Sequence, residues 1–410
     1  MRATSPPSWW GGAARNCAGR FDSSMGMGVR VLQVVPELNS GGVERTTLEV
    51  VDALVQAGHT AHVASEGGAM EGELLVLGGH LHRLPVATKN PLKWTANAAN
   101  IGAIIREYGI DLVHARSRAP AFAAKAAARR EGVPFVTTYH GIYNANNPLK
   151  RAYNAVMASG DVVIANSEFT KRHIMSEHGT DSSRIRVVPR GVDMAKFDPA
   201  TVSKADRRAL RTEWGVPQNA KLWLLPGRIT EWKGQEYAVS AVASTVLDPQ
   251  ENHLVLLGRV QGSGAYKDRL DELVACLEGF ADRVHFRPHT EDMATAYAAA
   301  DVVLSTSTDP EAFGRVAAEA QAMGVPVVAT AHGGSLETVE DGVTGRLVSP
   351  NDGGALAVAV QEVLGWVESG RYSGAYARAQ IQERFSDTAL KRAVLDIYGE
   401  VLGTKTDALP

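Results

Sequence analysis

The chain has 410 residues, 45% hydrophobic and 21% charged, with a formal net charge of −3; this balance excludes a disordered chain and leaves room for about two domains with ample core. No apolar run approaches the roughly 18 to 20 residues that cross a bilayer, and the first 28 residues lack the apolar core of a signal peptide, so a cytoplasmic protein is expected. Cys17 and Cys276 are too few and too far apart for a disulfide framework or a zinc site, and the sequence holds no Asp-x-Asp pair for a divalent metal.

Residues 1–28, rich in Gly, Pro and Ser without periodicity, read as a disordered extension, with Met25 or Met27 as alternative starts. Val29 to Val35 is an apolar strand, and Pro36-Glu37-Leu38-Asn39-Ser40-Gly41-Gly42 then turns into a helical pattern over 43–56. Strand, glycine loop and helix open a parallel α/β domain, although Gly41-Gly42 taken alone is equally a bare turn. Strand 62–65, helix 96–108, strand 112–114, the Ala-rich helix 119–130 and strand 135–138 continue in the order of an open Rossmann-like sheet. His140 follows the last of these strands, at the carboxyl edge where such sheets bind ligands; a lone His is otherwise more often structural. A further strand and helix over 161–178 precede Pro189-Arg190-Gly191-Val192-Asp193, and a linker is placed near 197–201.

The second half opens with the strand Leu222-Trp223-Leu224-Leu225, followed by Pro226-Gly227-Arg228, Glu231-Trp232-Lys233-Gly234 and a helix from Gln235. Arg228 and Lys233 flank one loop at a strand's carboxyl end. A planar fork and a point charge there suit a diphosphate; the alternative is a pair of solvated cations. Strands follow at 254–257, 284–287 and 301–305, with Gly262-x-Gly264 a turn and Cys276 expected to be buried in a helix.

The strand at 301–305 runs into Asp309 to Gly334. A helix over 315–323 would be entered through Pro310 and left through Gly324 and Pro326. Glu311 precedes this helix and Glu319 lies inside it; at 1.5 Å per residue the carboxylates are roughly 12 Å apart, which suits the two ends of an extended ligand. Between them Phe313, Gly314 and Arg315 present backbone N–H groups at a helix start, where anions are favoured. An ordinary amphipathic helix with two solvated glutamates is the alternative.

Glu311-x7-Glu319, followed by Gly324-Val325-Pro326-Val327-Val328-Ala329-Thr330 and Gly333-Gly334, resembles the retaining glycosyltransferases of family 4, over about residues 29 to 400. The resemblance implies an α/β GT-B fold: two Rossmann-like domains facing a cleft, with the last helix crossing back to the first. The acceptor domain would be 29–197 plus 389–403 and the nucleotide-sugar domain 198–388. The reaction implied is transfer of a sugar from a UDP- or GDP-sugar with retention, without cofactor or metal. Arg228 and Lys233 would then hold the donor phosphates, Glu311 the sugar hydroxyls, Glu319 the ribose, and His140 the donor sugar. Gly41 and Gly42 would face the diphosphate and the acceptor, residues 284–288 the base, and 340–348 would form a closing hairpin-like segment.

Gly41-Gly42-Val43-Glu44-Arg45 is similar to bacterial members that build lipopolysaccharide cores and other envelope glycans, which implies a glycan or lipid-linked acceptor. Residues 29–196 hold 19 Lys or Arg against 15 Asp or Glu, whereas 197–410 hold 20 against 29. A basic first half fits an anionic acceptor or peripheral contact with the inner membrane surface, with solvated surface charge the alternative; no nucleic-acid partner is expected. A glycosidase is disfavoured because its two carboxylates bracket one bond within about 10 Å and need no phosphate cradle. A nicotinamide dehydrogenase lacks its G-x-G-x-x-G after the first strand. A nucleotide-sugar epimerase of related fold and a non-catalytic sugar-nucleotide-binding protein remain as alternatives.

Overall fold

The computed structural model describes residues 28–403 apart from 40, 144, 146, 246–250, 263 and 278. The expected extension up to residue 27, Cys17 with it, and Ser40 of the first loop lie outside the described residues. The first sheet contains β1 (Arg30–Val34), β2 (Thr60–Ser65), β3 (His80–Arg83), β4 (Leu112–Ala115), β5 (Phe135–Tyr139), β6 (Val162–Ala165) and β7 (Ile185–Val187). All its pairings are parallel, in the order β3-β2-β1-β4-β5-β6-β7. The crossovers are α1 (Gly42–Gln56), α2 (Glu71–Val76), α3 (Pro91–Tyr108), α4 (Arg118–Glu131), α5 (Pro148–Asn154) and α6 (Glu168–His178).

After α7 (Lys204–Glu213) the second sheet is built from β8 (Lys221–Pro226), β9 (Asn252–Leu257), β10 (Val284–Arg287), β11 (Val302–Ser305), β12 (Val327–Thr330) and β13 (Gly345–Val348). Its order is β10-β9-β8-β11-β12-β13, again parallel. The helices are α8 (Gln235–Ala243), α9 (Ala265–Ala275), α10 (Met293–Ala299), α11 (Arg315–Ala322), α12 (Ser335–Thr338), α13 (Gly353–Glu368), α14 (Gly374–Phe385) and α15 (Asp387–Leu402). The architecture is therefore two parallel-sheet, Rossmann-like domains, as expected.

Strands read as continuous apolar runs because both faces are covered. Leu32 and Val34 of β1 pack with Val113 and Ile101 on one side, while Val31 and Val35 pack with Leu48 and Leu54 on the other. That second layer is completed from the far end of the chain. Leu390, Val394, Leu395, Ile397 and Tyr398 of α15 belong to the first domain's core. The Tyr398 hydroxyl lies 2.7 Å from Nδ1 of buried His114, and Lys391 pairs with Asp52 at 2.6 Å. The two crossings between domains run side by side: Val192 N–H donates to Phe385 O at 2.8 Å and Asp387 N–H to Val192 O at 3.0 Å.

Several expectations need correction. Pro310 does not open α11: Gly314, in the left-handed region with φ 84°, is the capping residue, and Pro310 stands in the preceding loop. The segment 340–348 is not a hairpin, because a turn over 342–344 leads into β13, which pairs parallel to β12. Cys276 is exposed just past the end of α9, since that helix buries Leu270 and Val274 instead. The edge strand β3, His-Leu-His-Arg, carried no apolar run to announce it.

Leu395 is 3% exposed in α15 whereas Val358 in α13 is 70% exposed. Leu395→Ala should destabilise the protein by about 2 to 5 kcal/mol in urea denaturation, while Val358→Ala should change stability by less than about 0.5 kcal/mol.

Candidate functional site

In each domain the strand order reverses direction at one point, between β1 and β4 and between β8 and β11. Crossovers leave to opposite sides there, so the loops at the carboxyl ends of those strands part and leave a crevice. The sequence-derived residues cluster at these two places. Gly41 and Gly42 follow β1; Arg228 and Lys233 follow β8; Glu311, Phe313 and Gly314 follow β11.

On the second domain's wall, the short turn Glu231–Lys233 brings Lys233 Nζ to 2.7 Å from Glu311 Oε1, and Ser307 Oγ donates to the same oxygen. Burial alone would raise the Glu311 pKa. Lys233, helped by Ser307 and His332, outweighs it and holds the carboxyl below its ordinary value. Arg228 donates from Nη1 to Gln261 Oε1 at 2.8 Å, and Lys233 lies 4.4 Å over the Trp232 ring. The Gly333-Gly334 pair is required by packing: a Cβ on either would collide with the backbone of Glu311 or Phe313.

Glu319 is buried within α11 and engaged at both oxygens. Arg315 Nη2 donates to Oε1 at 2.8 Å and the Tyr297 hydroxyl to Oε2 at 2.9 Å. Phe313 turns its ring into the core, 5.5 Å from that of Phe385, so only its backbone remains to face a ligand.

On the facing wall, α1 starts beneath Arg190, whose guanidinium occupies the space a Cβ on Gly42 would need. Arg190 Nη2 donates to His140 O at 3.3 Å, and Asn166 Nδ2 donates to the same carbonyl at 3.0 Å. Arg116, directly after β4, is 1% exposed. Its Nε and Nη2 have no hydrogen-bond partner among the described residues, and neither does His140 Nε2. Burial pushes the Arg116 guanidinium down to about 10. It does the same to Arg190, with the positive fields of Arg315 and Arg116 adding to it. Burial, then Arg116 and Arg190, keeps the His140 imidazole neutral.

Glu49 on α1 supplies counter-charge. Burial raises its pKa against the pull of Arg315 and Arg116. After burial, Arg315 is the foremost influence on both Glu49 and Arg190. The start of α11 therefore lies near the first domain's glycine loop, where the charges of Arg116, Arg190 and Arg315 act on one another and on Glu49, while Arg228 and Lys233 stand at the end of β8 beside Gln261 and Glu311. Among the described residues no group of three His, Cys, Asp or Glu could hold a metal ion.

Residues 40–196 match the Glycosyltransferase Family 4 profile and residues 220–365 match Glycosyl transferases group 1. A D-inositol 3-phosphate glycosyltransferase of Salinispora tropica is 32% identical over 408 residues, 92% of this chain and 81% of the relative. The chain belongs to the family 4 glycosyltransferases. One of the same description from Xylanimonas cellulosilytica is 35% identical over 326 residues, 75% of this chain and 76% of its own. The glycosyltransferase also shares its fold with solved structures. One from Rickettsia africae ESF-5 has a TM-score of 0.83 and 35% identity, covering 92% of this chain and 99% of its own. Anabaena Alr3699/HepE in complex with UDP-glucose has a TM-score of 0.75 and 25% identity, covering 90% and 99%.

Arg116, Arg190, Glu49, Ser307 and His332 of this glycosyltransferase carry no local sequence signal of a role in the site. Arg116 stands in Arg-Ser-Arg-Ala-Pro, which looks like surface charge. Only its position after β4, beside the strand reversal, places it at the carboxyl edge of the sheet.

The Lys233–Glu311 pair is nearly withdrawn from solvent, with side chains 13% and 15% exposed. Lys233→Met leaves a buried carboxylate without its cation and should cost about 3 kcal/mol. The double variant Lys233→Met/Glu311→Gln should recover much of that loss. Urea denaturation of the three proteins checks both statements.

Proposed function

We propose that this glycosyltransferase moves a sugar from a UDP- or GDP-sugar, with retention at the anomeric carbon, to an acceptor that carries an anionic group. The observation that carries this reading is that Arg116 and Arg190 stand together beside the start of α1, burial pushing both guanidiniums down, with Nε and Nη2 of Arg116 unpartnered among the described residues. Arg228, Lys233 and the start of α11 would neutralise the departing diphosphate. A lysine has three donors, so Lys233 can hold Glu311 and a phosphate oxygen together. Glu311 would hold the sugar hydroxyls, and His140, neutral and with Nε2 unpartnered, would hydrogen-bond the donor sugar. Glu319 retains lone pairs for a ribose hydroxyl beyond its two present partners.

Gly41 and Gly42 would let the diphosphate and the acceptor approach the backbone of α1, with Arg116 and Arg190 behind them for the acceptor's anion. Relatives described as D-inositol 3-phosphate glycosyltransferases favour a phosphorylated acceptor. The same chemistry fits a phosphate-bearing lipid-linked glycan of the cell envelope, the lipopolysaccharide core included, made at the cytoplasmic side. The cations at the diphosphate make a divalent metal unnecessary in this reading.

A screen of UDP- and GDP-sugars tests it by measuring release of the free nucleotide with phosphorylated acceptors and with their neutral counterparts. Release should rise only with an anionic acceptor and should survive EDTA. Turnover with neutral acceptors alone would overturn the acceptor reading, and loss to EDTA with recovery in Mg²⁺ the metal-free one.

The two glutamates should fail differently. Glu311→Gln should depress kcat while calorimetric binding of the nucleotide diphosphate stays near wild type. Glu319→Gln should weaken that binding by about 1 to 3 kcal/mol.

A further inference from the structure

The tetrapeptide Asn-Pro-Leu-Lys occurs twice in the first domain, as Asn90–Lys93 and Asn147–Lys150. Each copy opens a helix, and in each the Asn side chain caps it. Asn90 Oδ1 accepts from Leu92 N–H at 3.0 Å, and Asn147 Oδ1 accepts from Lys150 N–H at 2.8 Å. Capping fixes the two turns and leaves the leucine outside. Leu92 and Leu149 are each 84% exposed, more than any other leucine among the described residues.

The two turns are tied to one face. Trp94, in the first turn of α3, stacks on Phe122 of α4 at 4.2 Å with an interplanar angle of 5°, and Phe122 stacks in turn on Tyr153 of α5 at 5.4 Å. Beside this bridge a groove of about 430 Å³ is lined by Phe122, Lys125, Arg129 and Ala152. Lys89, Lys93 and Lys150 are exposed around the leucines. The stretches that carry the two turns, residues 74–106 and 132–160, contain no Asp or Glu.

We propose that this face docks on an anionic bilayer surface, with Leu92 and Leu149 at the headgroup boundary and Lys89, Lys93 and Lys150 against the headgroups. Apolar tips ringed by lysines match such a surface in both of its layers: the tips leave water while the ammonium groups stay at the charged plane. A second copy of the chain is the poorer occupant, because a self-complementary interface would bring the same unopposed cations together. The bridge also places the face beside the acceptor side of the cleft. Arg118, at the start of α4, lies 4.3 Å over the ring of Tyr143, three residues after His140.

Co-sedimentation of the full chain with vesicles tests this without donor or acceptor, and so independently of the proposed reaction. Wild type should pellet with phosphatidylcholine vesicles containing phosphatidylglycerol and stay in solution with phosphatidylcholine alone. Leu92→Ser/Leu149→Ser, and separately Lys89→Gln/Lys93→Gln/Lys150→Gln, should each lower the affinity roughly tenfold or more. Melting temperature and nucleotide binding should stay unchanged, since these side chains lie outside the core and the cleft. Leu75→Ser/Val76→Ser, at leucine and valine positions 60% and 87% exposed elsewhere on the domain, should bind vesicles like wild type. The proposal is overturned if wild type ignores the anionic vesicles, or if either set of substitutions leaves binding intact. It is overturned equally if the Leu75/Val76 control loses as much, or if ultracentrifugation shows a dimer that Leu92→Ser/Leu149→Ser abolishes.

Discussion

A parallel strand reaches its neighbour only through a crossover, and where successive crossovers leave to opposite faces the sheet's carboxyl edge must open. This constraint acts once in each domain, between β1 and β4 and between β8 and β11. Each opening is filled by a loop that starts a helix: Gly41-Gly42 before α1 in the first domain, and the turns before α8 and α11 in the second. Unpaired N–H donors at helix starts and basic side chains at strand ends then share two facing crevices. The cleft's chemistry is in this sense a product of topology, with side chains refining a field that the backbone already supplies.

Burial decides how those charges are held. Lys233 with Glu311 and Arg315 with Glu319 are close pairs, each supported by a hydroxyl from Ser307 or Tyr297. Arg116 and Arg190 differ. Both are withdrawn from water, both are pushed down to about 10, and Glu49 on α1 is the carboxylate whose field reaches both. Charges buried with incomplete compensation are costly to a fold, and their presence at a strand reversal is the physical reason to connect them with an anionic ligand rather than with stability.

The two walls are coupled by contacts that involve few residues. The crossings at Val192 and Ser386 lie against each other, with no room for a side chain on Gly191 beside Asp387. On the opposite side Glu337 of the second domain accepts the N–H groups of Glu168 and Phe169, both at 2.9 Å, and so caps α6 of the first. A carboxylate at a helix start is favoured by the dipole, and this one spans the domains. Meanwhile α15 is part of the first domain's core, joined to His114 through Tyr398, only two residues from Arg116. The domains are therefore joined at the backbone pair of the crossings while each keeps its own core.

Much of this was legible in the residues themselves. Apolar runs such as Leu222 to Leu225 and Val302 to Ser305 have the period and length of doubly covered strands, so the alternation of strand and helix, and with it the two-sheet architecture, follows from local pattern. The spacing of Glu311, Glu319 and Gly333-Gly334 identified the family, because these positions are held by backbone clearance and by a single short helix. Pro310 misled because a proline near a helix start signals entry only when it occupies the first turn, whereas here Gly314 takes the left-handed cap. Edge strand β3 and the exposure of Cys276 depended on what packs beside them, which no local pattern records. Only the tertiary structure showed that Arg116, Arg190 and Arg315, far apart in sequence and on different elements, come close enough for their charges to act on one another and on Glu49. It alone showed that the helices opened by two identical Asn-Pro-Leu-Lys turns are linked through the rings of Trp94, Phe122 and Tyr153, because side-chain direction and burial are set by how the sheets close on each other rather than by any neighbour in the chain.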